Sequence, residues 1–363
     1  MVAATPFPGS PDPEVRVPSA RPPHQAPGCW ATSVEATHLL GRERGNGSAT
    51  PGAASLRPLP TARVSRPQPP TLPRERLRRL LDGIWDQRVG LVVAPAGSGK
   101  TTLIADFAAA ADVPVAWYRA EVGDGDHSAF LRALARSLSS IVKGVPPEPL
   151  YPEELVTALE SSPAERALLV VDEFDAVAGT PGEAVLEQLL AYMPPSVHLL
   201  LASRRLPGFN LSRLRVSGAL VEIGADDLRF RSWEVEELFR DFYGEPLPPE
   251  DLAELARRTE GWAAGLQLFH LATRGRPTLE RRRMVAELGS RSRMVREYLA
   301  RNVLDHLTGE LRAFLVGTCV LGRLTGPLCD EVLDRSGSSE VLEALEREQL
   351  FTVAVGDDGV YRY

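Results

Sequence analysis

Residues 89–103, "VGLVVAPAGSGKTTL", decide the fold of this chain. Within them, residues 91–93 form an apolar, β-branched run that predicts a short buried strand. The glycine-containing turn 94–99 leads into an apolar-periodic stretch from Lys100 onward, which predicts an amphipathic helix. Strand, glycine turn and helix in this order are the setting of a phosphate-binding loop.

The residue types in this turn suit the phosphates of a nucleotide. Glycines let the backbone curl so that several N–H groups point inward, and the helix N-terminus adds the positive end of its dipole. We expect Lys100 to reach the β- and γ-phosphates and Thr101 to place its hydroxyl on Mg²⁺. The predicted nucleotide-binding residues are Ala94, Pro95, Ala96, Gly97, Ser98, Gly99, Lys100, Thr101 and Thr102.

The use of lysine supports this interpretation over a chance strand–turn–helix connection. Lys100 and Lys143 are the only lysines, and the chain uses arginine everywhere else. A lysine at the one position that needs a slim point charge on a flexible stem therefore favours phosphate binding. The usual pattern begins with glycine, and here another small residue, Ala94, takes that position.

Composition describes an ordinary, slightly acidic protein. The chain has 363 residues, 44% of them hydrophobic, and this length suits two or three domains. Its net charge of -7 argues against nucleic-acid binding by the surface as a whole. Three cysteines without a C-x-x-C pattern support neither a disulfide framework nor a zinc site. Without a signal peptide or a membrane-spanning run, we expect a cytoplasmic protein that does not contact a membrane.

An acidic pair follows a second apolar run. Residues 168–171 predict a central parallel strand, and Asp172 and Glu173 come directly after it. Ligands of such sheets bind at the carboxyl ends of the strands. We expect Asp172 to hold Mg²⁺ and Glu173 to polarise the attacking water as a general base. The alternative, a solvated strand end, is disfavoured by the phosphate-binding loop upstream.

Three more strands are predicted at 113–118, 197–205 and 219–223, which gives a five-stranded parallel sheet. The strand 197–205 ends in Ser203-Arg204-Arg205, where an arginine could sense the γ-phosphate and neutralise transition-state charge. A surface arginine at the sheet edge is the alternative.

The remaining sequence divides into three further segments. Residues 1–72 are rich in Pro, Gly, Ala, Ser and Arg and predict a disordered tail before a nucleotide-binding domain at 73–227. Residues 228–283 are all-helical, and 284–363 predict helices and a hairpin, as in a winged helix. The chain stops at the end of the second hairpin strand, from which we expect a longer protein to have been truncated.

Several blocks in order resemble one known family. They are "VVAPAGSGKTTL", "VAWYRAE", "LLVVDEFDAV", "LLLASRRLP", "LRFRSWEVEELF", "RTEGWAAGLQLFHLA", "FLVGTCVLGRLTGPLCDEVL" and "LEREQLFTVAV…YRY". From residue 73 to 363 the chain resembles the STAND-class, AAA-like ATPase module of large LuxR-type bacterial transcription regulators, the group related to the maltose-regulon activator.

The resemblance implies an α/β P-loop NTPase with a parallel sheet, followed by a helical lid domain and a winged-helix domain. In that family the ADP-bound form is closed and inactive, and ATP and an inducer open it for self-association and activation of transcription. The resemblance assigns ATP or ADP and Mg²⁺ as cofactors, Thr101 and Asp172 to the metal, and Glu173 and Arg204 to catalysis.

The chain departs from the family at two places, the lid motif and the position after the wing, where relatives typically have a histidine that contacts the nucleotide and this chain ends one residue short. The lid motif Gly-Trp-Pro, whose proline packs near the adenine, reads Gly261-Trp262-Ala263 here. The family's helical repeats, which hold the inducer site, and its C-terminal helix-turn-helix are absent. We therefore expect no nucleic-acid contact by these residues themselves.

The sequence predicts a nucleotide-gated signal-transduction switch with slow ATP hydrolysis, the regulatory module of a transcriptional activator. Two alternatives stay open: a multiple-turnover P-loop ATPase, which would turn over fast without an inducer, and a nucleotide-independent interaction scaffold, which would bind no nucleotide. DNA binding by these residues is a third and weaker alternative.

Overall fold

The computed structural model describes residues 60–286, 307–347, 350, 352–355 and 359–362. The described residues all belong to one unit, Thr50–Tyr363. Residues 1–59 of the predicted tail 1–72 lie outside the described residues, as does the segment 287–306. In the described part of the chain, no helix is long and apolar enough to cross a membrane.

Five parallel strands form the central sheet, as the sequence predicts. Their order across the sheet is β2-β3-β4-β1-β5. The strand that feeds the glycine turn, β1, therefore lies between β4 and β5, and β4 separates it from β3. The strands are β1 Val89–Val93, β2 Val115–Arg119, β3 Ala167–Asp172, β4 Val197–Ser203 and β5 Leu220–Ile223.

Helices cover both faces of this sheet. Alternate residues of β3 point to opposite faces, so Leu168 and Val170 join one core and Leu169 and Val171 join the other. The first core also contains residues of α1 and α2, and the second contains residues of α3, α4 and α5. The helices are α1 Glu75–Asp82, α2 Lys100–Ala110, α3 His127–Leu138, α4 Pro152–Glu160, α5 Pro181–Tyr192 and α6 Leu211–Val216.

A second domain is helical and has its own core. Val235, Phe239, Leu255, Leu266 and Phe269 are buried together at its centre. Its elements are α7 Ala225–Leu228, α8 Ser232–Glu237, a π-helical turn Leu238–Phe242, α9 Pro249–Thr259, α10 Ala263–Thr273 and α11 Thr278–Ala286.

The boundary predicted between residues 283 and 284 falls inside α11. Val285 is buried in the core of the helical domain, and Met284 packs against that core. The predicted boundary is wrong at this point, because Met284 and Val285 pack in the core of the helical domain and do not begin the next domain.

The last described segment consists of three helices and a two-stranded hairpin. They are α12 Gly309–Thr318, α13 Gly326–Leu333, α14 Ser338–Arg347, β6 Val353–Ala354 and β7 Tyr361–Arg362. The strands are antiparallel, as predicted, and Tyr361 also exchanges two backbone hydrogen bonds of 2.8 Å with Leu324. The predicted turn residues 356–358 lie outside the described residues.

Residues 60–72 do not follow the tail prediction. Thr61–Arg63 forms a short 3-10 turn, and Arg63 is only 9% exposed. Its guanidinium bonds the Asp124 carboxylate, the Tyr118 hydroxyl at 3.2 Å and the Arg119 carbonyl at 3.1 Å. This part of the segment is therefore held on the end of β2 by one buried arginine.

A second arginine, Arg74 at the start of α1, joins this helix to the helical domain, and its side chain is 10% exposed. Arg74 donates to both carboxylate oxygens of Glu234, at 3.1 and 2.9 Å, and Glu234 is 1% exposed. The same guanidinium donates to the carbonyls of Leu228 and Arg229, at 2.7 and 3.0 Å, where the chain passes between the two domains. Arg74 thus fixes this connection, which we call the hinge (residues 228–230).

Candidate functional site

The glycine turn between β1 and α2 has the backbone that a phosphate-binding loop needs. Gly97 and Gly99 adopt φ of 74° and 87°, a left-handed conformation that L side chains disfavour. Ala94 is fully buried, and its N–H donates to the carbonyl of Ser203 at 3.2 Å. A small residue therefore fills the first position of the loop, where β1 and β4 lie side by side.

Lys100 is a buried cation held by the loop itself. It is 7% exposed, and its Nζ donates to the carbonyls of Ala94 and Pro95 at 2.8 and 3.1 Å. Burial lowers the pKa of this ammonium, and the charge of Glu173 raises it in part. In the described chain its hydrogen-bond acceptors are neutral carbonyls, so an anion such as a phosphate fits beside it.

Asp172 and Thr101 form an oxygen pair next to this lysine. The Thr101 hydroxyl lies 3.0 Å from each carboxylate oxygen, and Asp172 is 1% exposed. Burial and then the charge of Glu173 raise the pKa of Asp172 to about 7, although the hydrogen bonds from Thr101 and the Glu173 N–H oppose this.

This pair suits Mg²⁺. Magnesium prefers oxygen ligands and takes one or two protein carboxylates together with phosphate oxygens. Among residues 60–286 and the later described ranges, no cluster of three or more His, Cys, Asp or Glu could hold a metal. One carboxylate and one hydroxyl fit a cation that takes further oxygen ligands from a nucleotide.

Glu173 is held in an unusual backbone conformation at the end of β3. Its φ of 54° and ψ of 39° lie in the left-handed region, which is strained for a residue with a side chain. Its Oε2 lies 3.5 Å from a terminal nitrogen of Arg204, whose residue follows β4. The structure thus brings the predicted base and the predicted sensor arginine into one ion pair.

Sequence reasoning missed Asp175, which also binds this arginine. Its Oδ1 accepts the Arg204 N–H at 2.9 Å, and its Oδ2 lies 3.7 Å from Arg204 Nε. The Asp175 carbonyl accepts a guanidinium hydrogen of Arg205 at 3.1 Å. The only available signal was a third acidic residue in the run "DEFD".

The helical domain reaches the glycine turn directly. The Trp262 indole donates to the Ala96 carbonyl at 3.3 Å, and the Ala264 N–H donates to the Gly97 carbonyl at 3.0 Å. Ala263 is the first residue of α10, the position at which proline is favoured. Although Ala263 stands where the family has proline, the start of α10 contacts the loop.

A cavity of about 270 Å³ opens between the loop and the helical domain. It is lined by Pro95 and Ser98 of the loop, Leu228 and Arg229 of the hinge, and residues 258–263. Apolar and charged groups together give it the character of a small-molecule pocket beside a phosphate loop.

Comparison with known proteins agrees with this geometry. Residues 85–202 match the model of the family described as AAA domain, and residues 300–363 match the MalT winged helix domain. The chain is 29% identical over 301 residues to the HTH-type transcriptional regulator MalT of Serratia proteamaculans (strain 568), and 28% identical over 302 residues to that of Yersinia enterocolitica. Each match covers 80% of this chain and 33% of the relative, so the chain spans about a third of their length.

Solved structures give a fold-level likeness. A STAND protein with a tetratricopeptide repeat sensor from Pyrococcus horikoshii is 16% identical, with a TM-score of 0.40 over 83% of this chain and 42% of that chain. The Orc1 protein of Aeropyrum pernix is 16% identical, with a TM-score of 0.43 over 81% of this chain and 89% of that chain. The two family matches and the MalT relatives confirm the expected resemblance to the ATPase module of MalT-type regulators, and with the parallel sheet they confirm the fold class.

Proposed function

We propose that this AAA-type module is a nucleotide-gated switch that binds ATP or ADP with Mg²⁺ and hydrolyses ATP slowly. The module is similar to a segment that makes up about a third of the length of the MalT regulators. One observation carries the proposal. A buried lysine, the Thr101–Asp172 oxygen pair and the Glu173–Arg204 ion pair meet at a loop that the helical domain contacts through two hydrogen bonds.

The binding roles follow from position. Lys100 and the loop N–H groups hold the phosphates, and the loop residues 94–102 surround them. Thr101 and Asp172 hold Mg²⁺, which supplies neutralisation of phosphate charge when it is bound. The cavity lined by Leu228, Arg229 and Trp262 takes the nucleoside part.

The catalytic roles fall to the two residues at the strand ends. Glu173 orients the attacking water and accepts its proton, and Arg204 neutralises charge that develops on the γ-phosphate. In this structure the Glu173 carboxylate is paired with Arg204 at 3.5 Å. The carboxylate must leave this ion pair before it can contact a water, which supports slow turnover.

Switching follows from the contacts of the helical domain, which acts as a lid. Trp262 and Ala264 bond the carbonyls of Ala96 and Gly97, so the position of the lid depends on the conformation of the loop. A nucleotide that binds the loop would bias the lid only as far as it favours one of the two arrangements.

The wider role rests on the relatives, which are named HTH-type transcriptional regulators. We propose that the switch regulates transcription in the cytoplasm, with an inducer and self-association as partners and DNA contacted by residues outside this chain. The sparse cysteines support that compartment.

Nucleotide titration and turnover of the full 363-residue chain test the proposal. We expect micromolar or tighter binding of ADP by calorimetry with Mg²⁺, and ATP turnover well below about 1 s⁻¹, under the usual range of enzymes. Turnover above about 10 s⁻¹ without an inducer would support a multiple-turnover ATPase. Absence of ADP and ATP binding would support an interaction scaffold.

A further inference from the structure

One carboxylate joins the loops that follow β3 and β4. Asp175 accepts the backbone N–H of Arg204 through Oδ1 at 2.9 Å, and its own carbonyl accepts from the Arg205 side chain at 3.1 Å. Its side chain is 18% exposed, so these contacts are largely shielded from water. Asp175 therefore holds the backbone of Arg204 and the side chain of Arg205 in place.

The Arg204 guanidinium lies between two carboxylates, which contact different nitrogens of the group. Asp175 lies 3.7 Å from Nε, close to the backbone that it also holds. Glu173 lies 3.5 Å from a terminal nitrogen, at the outer end of the side chain. The outer contact can be exchanged while the inner one stays, because Asp175 also holds the backbone N–H of Arg204.

A second carboxylate supports the same pair of loops. Glu183 of α5 accepts the N–H of Gly179 and that of Gly208, each at 2.5 Å, and Glu183 is 8% exposed. The loops after β3 and β4 are thus tied together independently of Asp175. A substitution at Asp175 should act on Arg204 without releasing the loops.

We propose that Asp175 is a positioning residue that holds Arg204 so that its outer end exchanges between Glu173 and the γ-phosphate. The inference rests on the proposed nucleotide function and deepens it. A γ-phosphate carries more negative charge than one carboxylate and attracts the guanidinium more strongly. Its arrival would release Glu173 at the moment the base is needed, whereas ADP would leave the ion pair in place.

The test compares a diphosphate with a triphosphate. We would measure the Kd of ADP and of the non-hydrolysable analogue adenylyl imidodiphosphate, with Mg²⁺, for the full chain and for D175A, R204A and the double variant. We expect both single variants to bind the triphosphate analogue about tenfold more weakly, a coupling of ordinary size, with ADP affinity within about twofold. The double variant should lose no more than either single one.

A matched control removes a similar acceptor elsewhere. Asp126 caps α3 by accepting the N–H groups of Ser128 and Ala129 at 3.0 and 3.1 Å. D126A should leave both affinities unchanged. D175N keeps an oxygen for the Arg204 N–H and should recover at least about threefold of the lost affinity for the analogue.

The outcomes separate the two proposals. A parallel loss of ADP and analogue affinity in D175A, additive losses in the double variant, or equal losses in D175N and D175A would overturn the positioning role. Unchanged affinity of R204A for the analogue would overturn it as well. If the unsubstituted chain binds neither nucleotide, the proposed function fails first and the role of Asp175 falls with it.

Discussion

The indole nitrogen of Trp262 donates a hydrogen bond to the carbonyl oxygen of Ala96, 3.3 Å away, and so joins the lid to the phosphate loop. A second bond, from the Ala264 N–H to the Gly97 carbonyl, lies beside it at 3.0 Å. Both acceptors are loop carbonyls. Since their directions change when the loop rearranges, the lid is in contact with the part of the site that responds to phosphate.

The approach of the hinge to the lid motif makes Gly261 irreplaceable. Its φ is 71°, and a Cβ there would lie 2.3 Å from the carbonyl oxygen of Phe230. Gly275 has a similar φ of 72° but no atom within 4 Å of such a Cβ. We expect Gly275→Ala to cost about 1 kcal/mol and Gly261→Ala at least about 3 kcal/mol of unfolding free energy, measured in urea. Equal costs would show that the backbone at 230 moves aside freely.

The two lysines allow a direct test of nucleotide contact. Lys100 is 7% exposed and Lys143 is exposed. With an amine-acylating reagent and mass spectrometry, Lys143 should be modified at the same rate with or without ADP. Modification of Lys100 should slow about tenfold or more when ADP and Mg²⁺ are present, because the bound phosphates cover it. Equal rates for Lys100 in both samples would contradict the phosphate assignment.

The buried carboxyl of Asp172 gives the nucleotide-free protein a defined pH dependence. Its pKa of about 7 in the folded state lies above the usual 3.8, so the folded state binds the extra proton between about pH 4 and 7. The contribution of this group to stability therefore falls as pH rises through that window, by on the order of 2–4 kcal/mol. Asp172→Asn should remove this slope in urea unfolding, and the control Asp126→Asn should keep it.

Mg²⁺ should act in the opposite direction at the same group. A bound cation favours the ionised carboxylate, so binding of Mg²⁺ with ADP should release a proton below about pH 7. Calorimetry in two buffers of different ionisation enthalpy measures this release. Parallel pH profiles of unfolding for the unsubstituted chain and Asp172→Asn would contradict the raised pKa.

The role of Glu173 can be separated from binding. Glu173→Gln removes the proton acceptor but keeps the shape, so ATP affinity should stay within about threefold while turnover falls about 10²–10³-fold. Glu165→Gln is a suitable control because Glu165 is exposed and precedes the amino-terminal end of β3, whereas Glu173 follows its carboxyl end. Turnover that survives in Glu173→Gln would show that another group orients the water.

The buried ion pair at the hinge should matter more than a surface pair of the same chemistry. Burial alone raises the pKa of Glu234, but the hydrogen bonds from Arg74 and the Arg231 N–H outweigh it and lower that pKa. Arg74→Ala would remove two hydrogen bonds from this buried carboxylate and leave Arg76, 3.2 Å away, as its cation, so it should destabilise the fold by about 2 kcal/mol. Arg215→Ala breaks the exposed pair with Glu222 and should change the melting temperature little. Similar shifts for both variants would contradict a special role of the hinge.

Local pattern was sufficient to predict the elements that carry the site. The apolar runs before Ala94 and Asp172 are short but uninterrupted, and parallel strands place their carboxyl ends together, so the meeting of Lys100, Thr101 and Asp172 could be expected. Capping was harder. Asp126 caps α3 with its side chain, whereas α8 is preceded by Arg231, and Ser232, a residue type that often caps helices, is already helical.

The sequence could not reveal ion pairs between residues that are far apart along the chain. Arg63 and Asp124 are 61 residues apart, and Arg74 and Glu234 are 160 residues apart. A single arginine in a proline-rich stretch has no periodicity to reveal that it is buried. Asp175 was missed for a related reason, because it follows β3 whereas its partner Arg204 follows β4.

The turn at Thr61–Arg63 has a consequence for anyone who shortens this chain. Apolar patterning starts at α1, and a boundary drawn there would look natural. Removing Arg63, however, would strip the guanidinium from Asp124, which is 6% exposed and shares that cation with the Tyr118 hydroxyl. The stable folding unit therefore begins upstream of its first helix, and a fragment cut at residue 73 would leave the buried Asp124 carboxylate without the Arg63 cation, held only by the Tyr118 hydroxyl and the Glu121 N–H among the described residues.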